Sequence, residues 1–284
     1  MKIGVCVGLP ASVAGQTGAG QPAAGGAKQA PDMIALAAEL GYDYIEMPLS
    51  PIAALDEARF KNLQNEMAKS KLKCECLNVF FPAKIRLTGG DVNERAIAEY
   101  VDLALSRAAA IGAEIVVFGS SGAKNVPDGF PYEDAFKQLV NAAGIISKAA
   151  VKHGVKIAIE PLNKKEANII LTVGEADKLM TAAGQPNIYI LVDYYHFSLD
   201  SDSIDTLRWL TRERKIIHTH FAETVGRAYP REPKPEYSAV FDVLREEGYD
   251  ARCSIEAGLS NPDDPRAEME AGLACLRKIT ARDT

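Results

Sequence analysis

Three carboxylates and one imidazole stand at the ends of four strand-like segments, and side chains of these types can bind a divalent cation and transfer protons. Glu160 ends the apolar segment Val155–Glu160 just where proline and asparagine interrupt it. Asp193, His220 and Glu256 end the next three strand-like segments in the same way. A mixed set of oxygen and nitrogen donors is typical of sites for Mn²⁺, Mg²⁺ or Co²⁺, whereas structural zinc sites usually contain thiolates. The pattern predicts a metal centre with these four ligands, and Mn²⁺ is the ion we expect first.

Each of the three carboxylates also has a structural explanation, because an acidic residue at a strand end often caps a helix or forms a salt bridge. Considered by itself, Asp193 fits a structural role, such as a helix cap, as well as it fits a metal ligand. The histidines support the prediction, since three of the four in the chain, His196, His218 and His220, lie at the ends of strands six and seven. His218 and His220 have the same strand parity, so both can face the interior. We expect His220, nearer the loop, to be the ligand and His218 to support it or to pack in the core.

The elements that must position these residues follow an alternating pattern of short apolar strands and amphipathic helices. The eight predicted strands are Lys2–Gly8, Tyr42–Met47, Lys73–Val79, Ala113–Gly119, Val155–Glu160, Asn187–Asp193, Lys215–His220 and Ala251–Glu256. The eight predicted helices are Pro31–Leu40, Asp56–Ser70, Val92–Ile111, Tyr132–His153, Val173–Ala183, Ser203–Arg212, Glu236–Glu247 and Asp264–Ile279. Eight such units predict the α/β class and one (β/α)₈ TIM barrel, a single domain over residues 1–284.

Loop lengths place the chemistry at one end of this barrel. Five predicted helices end at a glycine and reach the next strand within a few residues, whereas the loops after the strands are long. Long loops on the carboxyl side of the strands build the active site of such barrels. The glycine- and alanine-rich loop Ala11–Ala30 contains no phosphate-binding motif, and it is predicted to be either a flexible loop or a lid. Ser120–Pro131 would also frame the pocket.

The composition indicates which class of ligand and which cellular compartment to expect. The chain is 47% hydrophobic and 25% charged, as in globular proteins, and has no apolar run that would span a membrane. A net charge of −6 disfavours a nucleic-acid surface and favours a small-molecule ligand. The apolar residues near Met1 resemble a first strand more than a signal peptide. Five cysteines scattered through strand and helix patterns predict a cytoplasmic protein without disulfides.

Four segments resemble a known family. IEPLNKKE, VDYYH, HTHFAE and SIEAG, in this order, are similar to motifs of the xylose isomerase-like superfamily of sugar isomerases and epimerases, and within it to ketose 3-epimerases of the tagatose and allulose type. The resemblance implies that Glu160 and Glu256 are both metal ligands and the pair that exchanges a proton on opposite faces of the sugar. It also implies that Glu166, His196 and Arg227 bind substrate. Arg227 stands one residue further from the histidine than in that pattern.

The expected reaction is removal of a proton next to a carbonyl, which needs a cation at the developing oxyanion and a base within reach. The resemblance implies a ketose 3-epimerase. We expect its sugar substrate to be unphosphorylated, because the loop after the last strand, AGLSNPDDPRAE, is acidic and poor in glycine. An aldose–ketose isomerase, an inosose-type dehydratase and a non-catalytic sugar-binding barrel remain alternatives. An endonuclease with this barrel would need more histidines. Aromatic residues near the strand ends leave a homo-oligomer open.

Overall fold

The predicted (β/α)₈ barrel is confirmed by a computed structural model, which describes residues 1–14 and 32–281. Each strand pairs in parallel with the next, and the eighth pairs with the first to close the sheet. The strands are β1 (Lys2–Cys6), β2 (Tyr44–Pro48), β3 (Cys74–Asn78), β4 (Ile115–Phe118), β5 (Lys156–Ile159), β6 (Ile188–Asp193), β7 (Ile216–Phe221) and β8 (Arg252–Ile255). Glu160 and Glu256 therefore lie one residue beyond their strands, and the predicted boundaries differ only at the ends of each element.

Eight longer helices cover the outside of the barrel in the positions that the sequence pattern predicts. They are α2 (Met33–Leu40), α4 (Glu57–Lys69), α5 (Glu94–Ala110), α7 (Tyr132–His153), α8 (Val173–Ala183), α10 (Ile204–Arg212), α11 (Pro235–Glu246) and α12 (Arg266–Thr280). Four short helices that periodicity did not predict lie in the loops after strands: α1 (Ala11–Ala14), α3 (Leu49–Ala53), α6 (Ser121–Lys124) and α9 (Tyr194–Leu199). A helix of four to six residues is too short to display an amphipathic period.

Local signals explain where the helices begin and end. Side chains cap five of the longer helices at their first turn, those of Asp32, Asp56, Asn93, Thr172 and Ser203. The five predicted stop glycines all have positive φ angles, which only glycine adopts at low cost: Gly41, Gly112, Gly154, Gly184 and Gly248. These stops keep the connections into the strands short, so the long loops collect at the other end of the barrel.

The core has two parts. Most buried side chains lie between the sheet and the surrounding helices. A smaller apolar cluster fills the barrel itself and includes Tyr44, Cys76, Val117 and Leu191. Buried polar side chains lie next to this cluster, and the hydroxyl of Tyr44 is 2.8 Å from that of Ser254. Among the described residues, no helix combines the length and apolar character needed to cross a membrane. The possible lid Ala11–Ala30 lies outside the described residues, apart from α1.

Candidate active site

Strand register brings the four predicted ligands together at the carboxyl end of the barrel. Asp193 on β6 is the register partner of His220 on β7, and Glu160 and Glu256 follow β5 and β8 directly. One ligand atom from each of Glu160, Asp193, His220 and Glu256 lies within 4.8 Å of all the others. Three of the four side chains are buried and the fourth, Glu256, is partly buried. Adjacent strands of a closed barrel end on one rim, which explains the convergence.

Two atoms of this cluster have unused bonding capacity. Glu160 Oε1 and His220 Nδ1 are buried and have no hydrogen-bond partner among residues 1–14 and 32–281. They lie 3.5 Å apart, and Nδ1 also lies 3.1 Å from Glu256 Oε2. Buried polar atoms rarely stay unpaired, because losing water without compensation costs about 1–3 kcal/mol for each group. Oxygen and imidazole atoms that converge in this way fit a divalent cation.

The electrostatics of the cluster also favour a cation. Burial disfavours the charged form of each carboxyl group, and it raises the pKa of Asp193 above the ordinary value. For Glu256 burial acts in the same direction, but the nearby His220 and Arg227 outweigh it and lower the pKa to about 2. Burial opposes protonation of His220, yet Glu46 and Glu256 raise its pKa well above the ordinary range. The donor set therefore attracts positive charge strongly.

Asp193 caps a helix with one carboxylate oxygen and faces the cluster with the other. Its Oδ1 accepts a hydrogen bond of 2.8 Å from the backbone N–H of Tyr195 and so caps α9. Its Oδ2 faces the cluster, 3.2 Å from the guanidinium of Arg227 and 3.5 Å from Nε2 of His196. One oxygen thus fixes the side chain, while the other faces the cluster and accepts a hydrogen bond from Arg227.

Arg227 reaches the cluster through an unusual loop conformation. Gly226 and Arg227 have φ angles of 72° and 47°, so two successive residues are left-handed. The backbone is held by Gly258, whose N–H donates a 2.8 Å hydrogen bond to the carbonyl of Arg227. The guanidinium lies 2.5 Å from Glu256 Oε2 and 4.9 Å from the centre of the Tyr195 ring. A left-handed turn therefore brings this arginine to the site despite its altered spacing from His220.

Glu166 and His196 lie beside the cluster and share a neighbour that the sequence analysis missed. The side-chain nitrogen Nδ2 of Asn163 donates a 2.9 Å hydrogen bond to Glu166 Oε1 and lies 2.7 Å from Nδ1 of His196. The Oε2 atom of Glu166 is 3.8 Å from Arg227. The three residues predicted to contact substrate, Glu166, His196 and Arg227, thus surround one side of the cluster, and Asn163 links two of them.

Three more polar residues that the sequence analysis missed support the glutamates and the histidine. Asn78 donates a 2.8 Å hydrogen bond to Glu256 Oε1, and buried Lys124 donates a 3.0 Å bond to the carbonyl oxygen of Glu160. Burial lowers the pKa of Lys124 to about 8. Glu46 on β2 contacts His220 from inside the barrel. A charged residue among mainly apolar neighbours in β2 was the signal for Glu46, and a polar residue at the end of β3 was the signal for Asn78.

The aromatic residues near the strand ends pack mainly inside the protein. Phe80 and Phe81 are buried, with ring centres 4.3 Å apart, and both pack near Phe118. Tyr194 is buried and stacks near Phe221, with ring centres 4.8 Å apart. These side chains therefore stabilise the loops behind the site instead of forming an exposed apolar face.

The backbone of Gly119 leaves the space that the carboxylate of Glu160 occupies. A Cβ atom at position 119 would lie 2.0 Å from Glu160 Oε2. Glu160 is predicted to transfer a proton, and a displacement of about 1 Å at such a group can lower turnover about 10²-fold. We therefore predict that Gly119→Ala lowers kcat by about 10²-fold. Thermal unfolding should change little, since the end of a flexible side chain can move. Steady-state kinetics and calorimetry on the same preparation measure both quantities.

The matched control is Gly144→Ala in α7, where a Cβ atom would have no neighbour within 4 Å. This variant should retain full activity. Equal activity of the two variants would contradict the role of Gly119.

These features define a (β/α)₈ barrel that carries a carboxylate and imidazole cluster at the carboxyl ends of β5 to β8. The family described as "Xylose isomerase-like TIM barrel" matches residues 34–279. The chain belongs to this family, and the resemblance of the four sequence segments is confirmed.

Curated relatives of the chain carry the names of sugar epimerases. The chain is 25% identical over 142 residues to the 3-dehydro-D-guloside 4-epimerase of Escherichia coli (strain K12), a match that covers 50% of this chain and 53% of that protein. Thus only about half of this relative's length is matched. An L-ribulose 3-epimerase of Methylomonas sp. (strain DH-1) is 26% identical over 257 residues, with 87% and 84% of the two chains covered.

Solved structures share the whole fold. The crystal structure of a D-allulose 3-epimerase from Methylomonas sp. has a TM-score of 0.79 and 20% sequence identity, and the superposition covers 98% of each chain. At this identity the likeness extends to the fold alone.

Proposed function

We propose that the protein is a divalent-metal-dependent sugar isomerase or epimerase that transfers a proton next to a carbonyl group. The observation that carries this proposal is the buried cluster of Glu160, Asp193, His220 and Glu256, with two unpaired ligand atoms that face each other. Sugar epimerases and isomerases among the curated relatives support the reaction class. Within this class, we propose a ketose 3-epimerase.

The four residues of the cluster would hold the cation. A divalent cation bound there would withdraw electron density from the substrate carbonyl and make the neighbouring C–H bond more acidic. We propose Mn²⁺, with Mg²⁺ and Co²⁺ as alternatives, because oxygen ligands predominate in the set.

Glu160 and Glu256 are proposed to exchange the proton. They follow β5 and β8, which are separated by two strands, so the two carboxylates approach the cluster from different directions. One glutamate takes the proton from carbon, and the electron pair of the C–H bond moves onto the carbonyl oxygen to give an enediolate. The other glutamate delivers a proton to the opposite face, which inverts the carbon centre. The roles reverse in the reverse reaction.

The polar residues beside the cluster would bind the substrate hydroxyl groups. Arg227 offers guanidinium donors, and Glu166 and His196 offer an acceptor oxygen and a buried Nε2 atom that has no hydrogen-bond partner within the described part of the chain. Buried groups of this kind reject ligands that leave them unpaired, so they favour a polyhydroxylated substrate.

An unphosphorylated sugar fits the loop after β8. The backbone N–H groups of Ser260 and Asn261 both donate 3.1 Å hydrogen bonds to the carboxylate of Glu268. Barrels that bind phosphate use backbone amides of this region for it. Here a carboxylate of the chain already occupies those donors and adds a negative charge, which disfavours a phosphate group.

Proton NMR in D₂O with Mn²⁺ and a panel of ketoses, aldoses and inososes tests the proposed function. We expect deuterium at C3 of a ketose together with the inverted product. Label at C1 or C2 with an aldose product would indicate an aldose–ketose isomerase, and loss of water a dehydratase. Inversion at C4 of a keto sugar would indicate a 4-epimerase, the reaction for which the E. coli relative is named. An absence of exchange with every sugar would contradict the enzyme proposal and favour a binding protein.

A cytoplasmic location is part of the proposal. All five cysteines are free thiols and four of them are buried, which fits a reducing compartment.

A further inference from the structure

Glu46 is a buried carboxylate inside the barrel that contacts the cluster from below. It lies on β2, is fully inaccessible to solvent, and is separated by most of the chain from the histidine that it contacts on β7. Its Oε1 atom is 3.0 Å from Nε2 of His220. A buried carboxylate is costly unless hydrogen bonds satisfy both of its oxygens.

The surroundings of Glu46 hold its carboxylate in one orientation. Its Oε2 accepts a 2.7 Å hydrogen bond from the hydroxyl of Ser254 and lies 2.8 Å from Nε2 of His218. Ser254 in turn lies 2.8 Å from the hydroxyl of Tyr44. The ring of Tyr44 fits only because residue 4 is glycine, since a Cβ atom there would lie 2.3 Å from the ring. The carboxylate therefore has neighbours at both oxygens and a packed polar network behind it.

The contact between Glu46 and His220 fixes the proton positions on the imidazole ring. An ionised carboxylate can only accept hydrogen bonds, so Nε2 of His220 must carry the hydrogen. A histidine that binds a cation is neutral, and the lone pair of such a ring is then on Nδ1, the atom that faces Glu160 and Glu256. We propose that Glu46 is a positioning residue that holds His220 as its Nε2–H tautomer and thereby directs Nδ1 at the metal. This inference rests on the proposed metal site.

Glu46 is better placed to position a ligand than to be one. It also lies near enough to cysteines to form two other groups of possible ligands, one with Cys6 and His220 and one with Cys76 and His218. Its two oxygens already have hydrogen-bonding neighbours, however, and burial raises the pKa of both thiols, which keeps them protonated. Its influence on a bound cation therefore passes through His220.

Mn²⁺ titration of metal-depleted protein tests this role without an activity assay. Glu46→Met removes the acceptor and keeps an unbranched side chain of similar length. We expect its dissociation constant for Mn²⁺, measured by isothermal titration calorimetry, to rise about 10–100-fold, the usual effect of removing a partner of a histidine ligand.

Glu75→Met is the matched control. Glu75 is a buried carboxylate on β3, but it pairs with Lys2 and Arg252 at the opposite end of the barrel. Its loss should lower stability and leave the Mn²⁺ dissociation constant unchanged. Equal Mn²⁺ affinity of Glu46→Met and the wild type would overturn the role of Glu46. Failure of the wild type itself to bind Mn²⁺ would instead contradict the metal site of the proposed function.

A measurement on the wild type covers the case in which Glu46→Met does not fold. The chain has four histidines, so ¹⁵N-histidine labelling gives a simple spectrum. Long-range ¹H–¹⁵N correlation of the Mg²⁺-loaded protein reports which ring nitrogen carries hydrogen. We expect hydrogen on Nε2 of His220, assigned from the signal that His220→Asn removes. Hydrogen on Nδ1 of His220 would overturn the inference.

Discussion

Replacement of either Glu160 or Glu256 by glutamine is expected to lower the kcat for sugar interconversion by about 10²–10⁴-fold, the usual contribution of a positioned acid or base. Glutamine keeps the size of the side chain and an oxygen atom that can still face a cation, but it cannot accept the proton from carbon. The loss should therefore appear in kcat. Steady-state assays of both variants with saturating Mn²⁺ measure it.

Isotope exchange separates loss of a base from general damage to the site. If each glutamate serves one face of the sugar, a single variant retains the base for one epimer only. That variant should still remove the C3 hydrogen of one epimer and replace it on the same face with deuterium from D₂O. The configuration at C3 would then be unchanged. The Glu160→Gln and Glu256→Gln proteins should exchange opposite epimers, which NMR of each pure epimer detects.

The control for these variants is Glu114→Gln, since Glu114 pairs with Arg252 at the other end of the barrel. It should retain wild-type turnover. Full interconversion by both active-site variants would show that the two glutamates are not the acid and base. Exchange of the same epimer by both would contradict their assignment to opposite faces.

Removal of divalent cations is expected to abolish turnover, and added Mn²⁺ should restore it. The cation should also stabilise the fold, because it binds only the folded cluster. At a free concentration about 100 times the dissociation constant, binding stabilises by about 2.7 kcal/mol, which corresponds to a rise in Tm of about 5 °C for a protein of this size. Calorimetry of chelator-treated protein with and without Mn²⁺ measures the shift.

Two aspartates in the same region provide a matched pair for this experiment. Asp193→Asn keeps a side-chain oxygen to cap α9 but loses the charge that faces the cluster, so its Tm should respond weakly to Mn²⁺. Asp202→Asn changes a carboxylate that accepts a hydrogen bond from the backbone of Val173, outside the cluster, and its response should match the wild type. An unchanged Tm of the wild type with Mn²⁺, Mg²⁺ and Co²⁺ would refute the metal site.

The sequence allowed the barrel to be predicted because its signals are local. Alternating strands and helices, stop glycines such as Gly154 and Gly184, and long loops after the strands each depend on neighbouring residues. The convergence of Glu160, Asp193, His220 and Glu256 could also be predicted, since consecutive strands are adjacent in a closed barrel. The short helices of the loops were missed because they lack a period.

The sequence by itself determined the fold and the set of residues that meet at the rim, because one pattern repeated along the chain specifies both. Only the tertiary structure decided which residues orient that set. Glu46 lies 174 residues from His220 and meets it across the barrel interior. Asn78 lies 178 residues from Glu256, and Arg227 reaches the cluster through a left-handed turn. Such contacts depend on barrel closure and on backbone angles, which no local sequence pattern specifies.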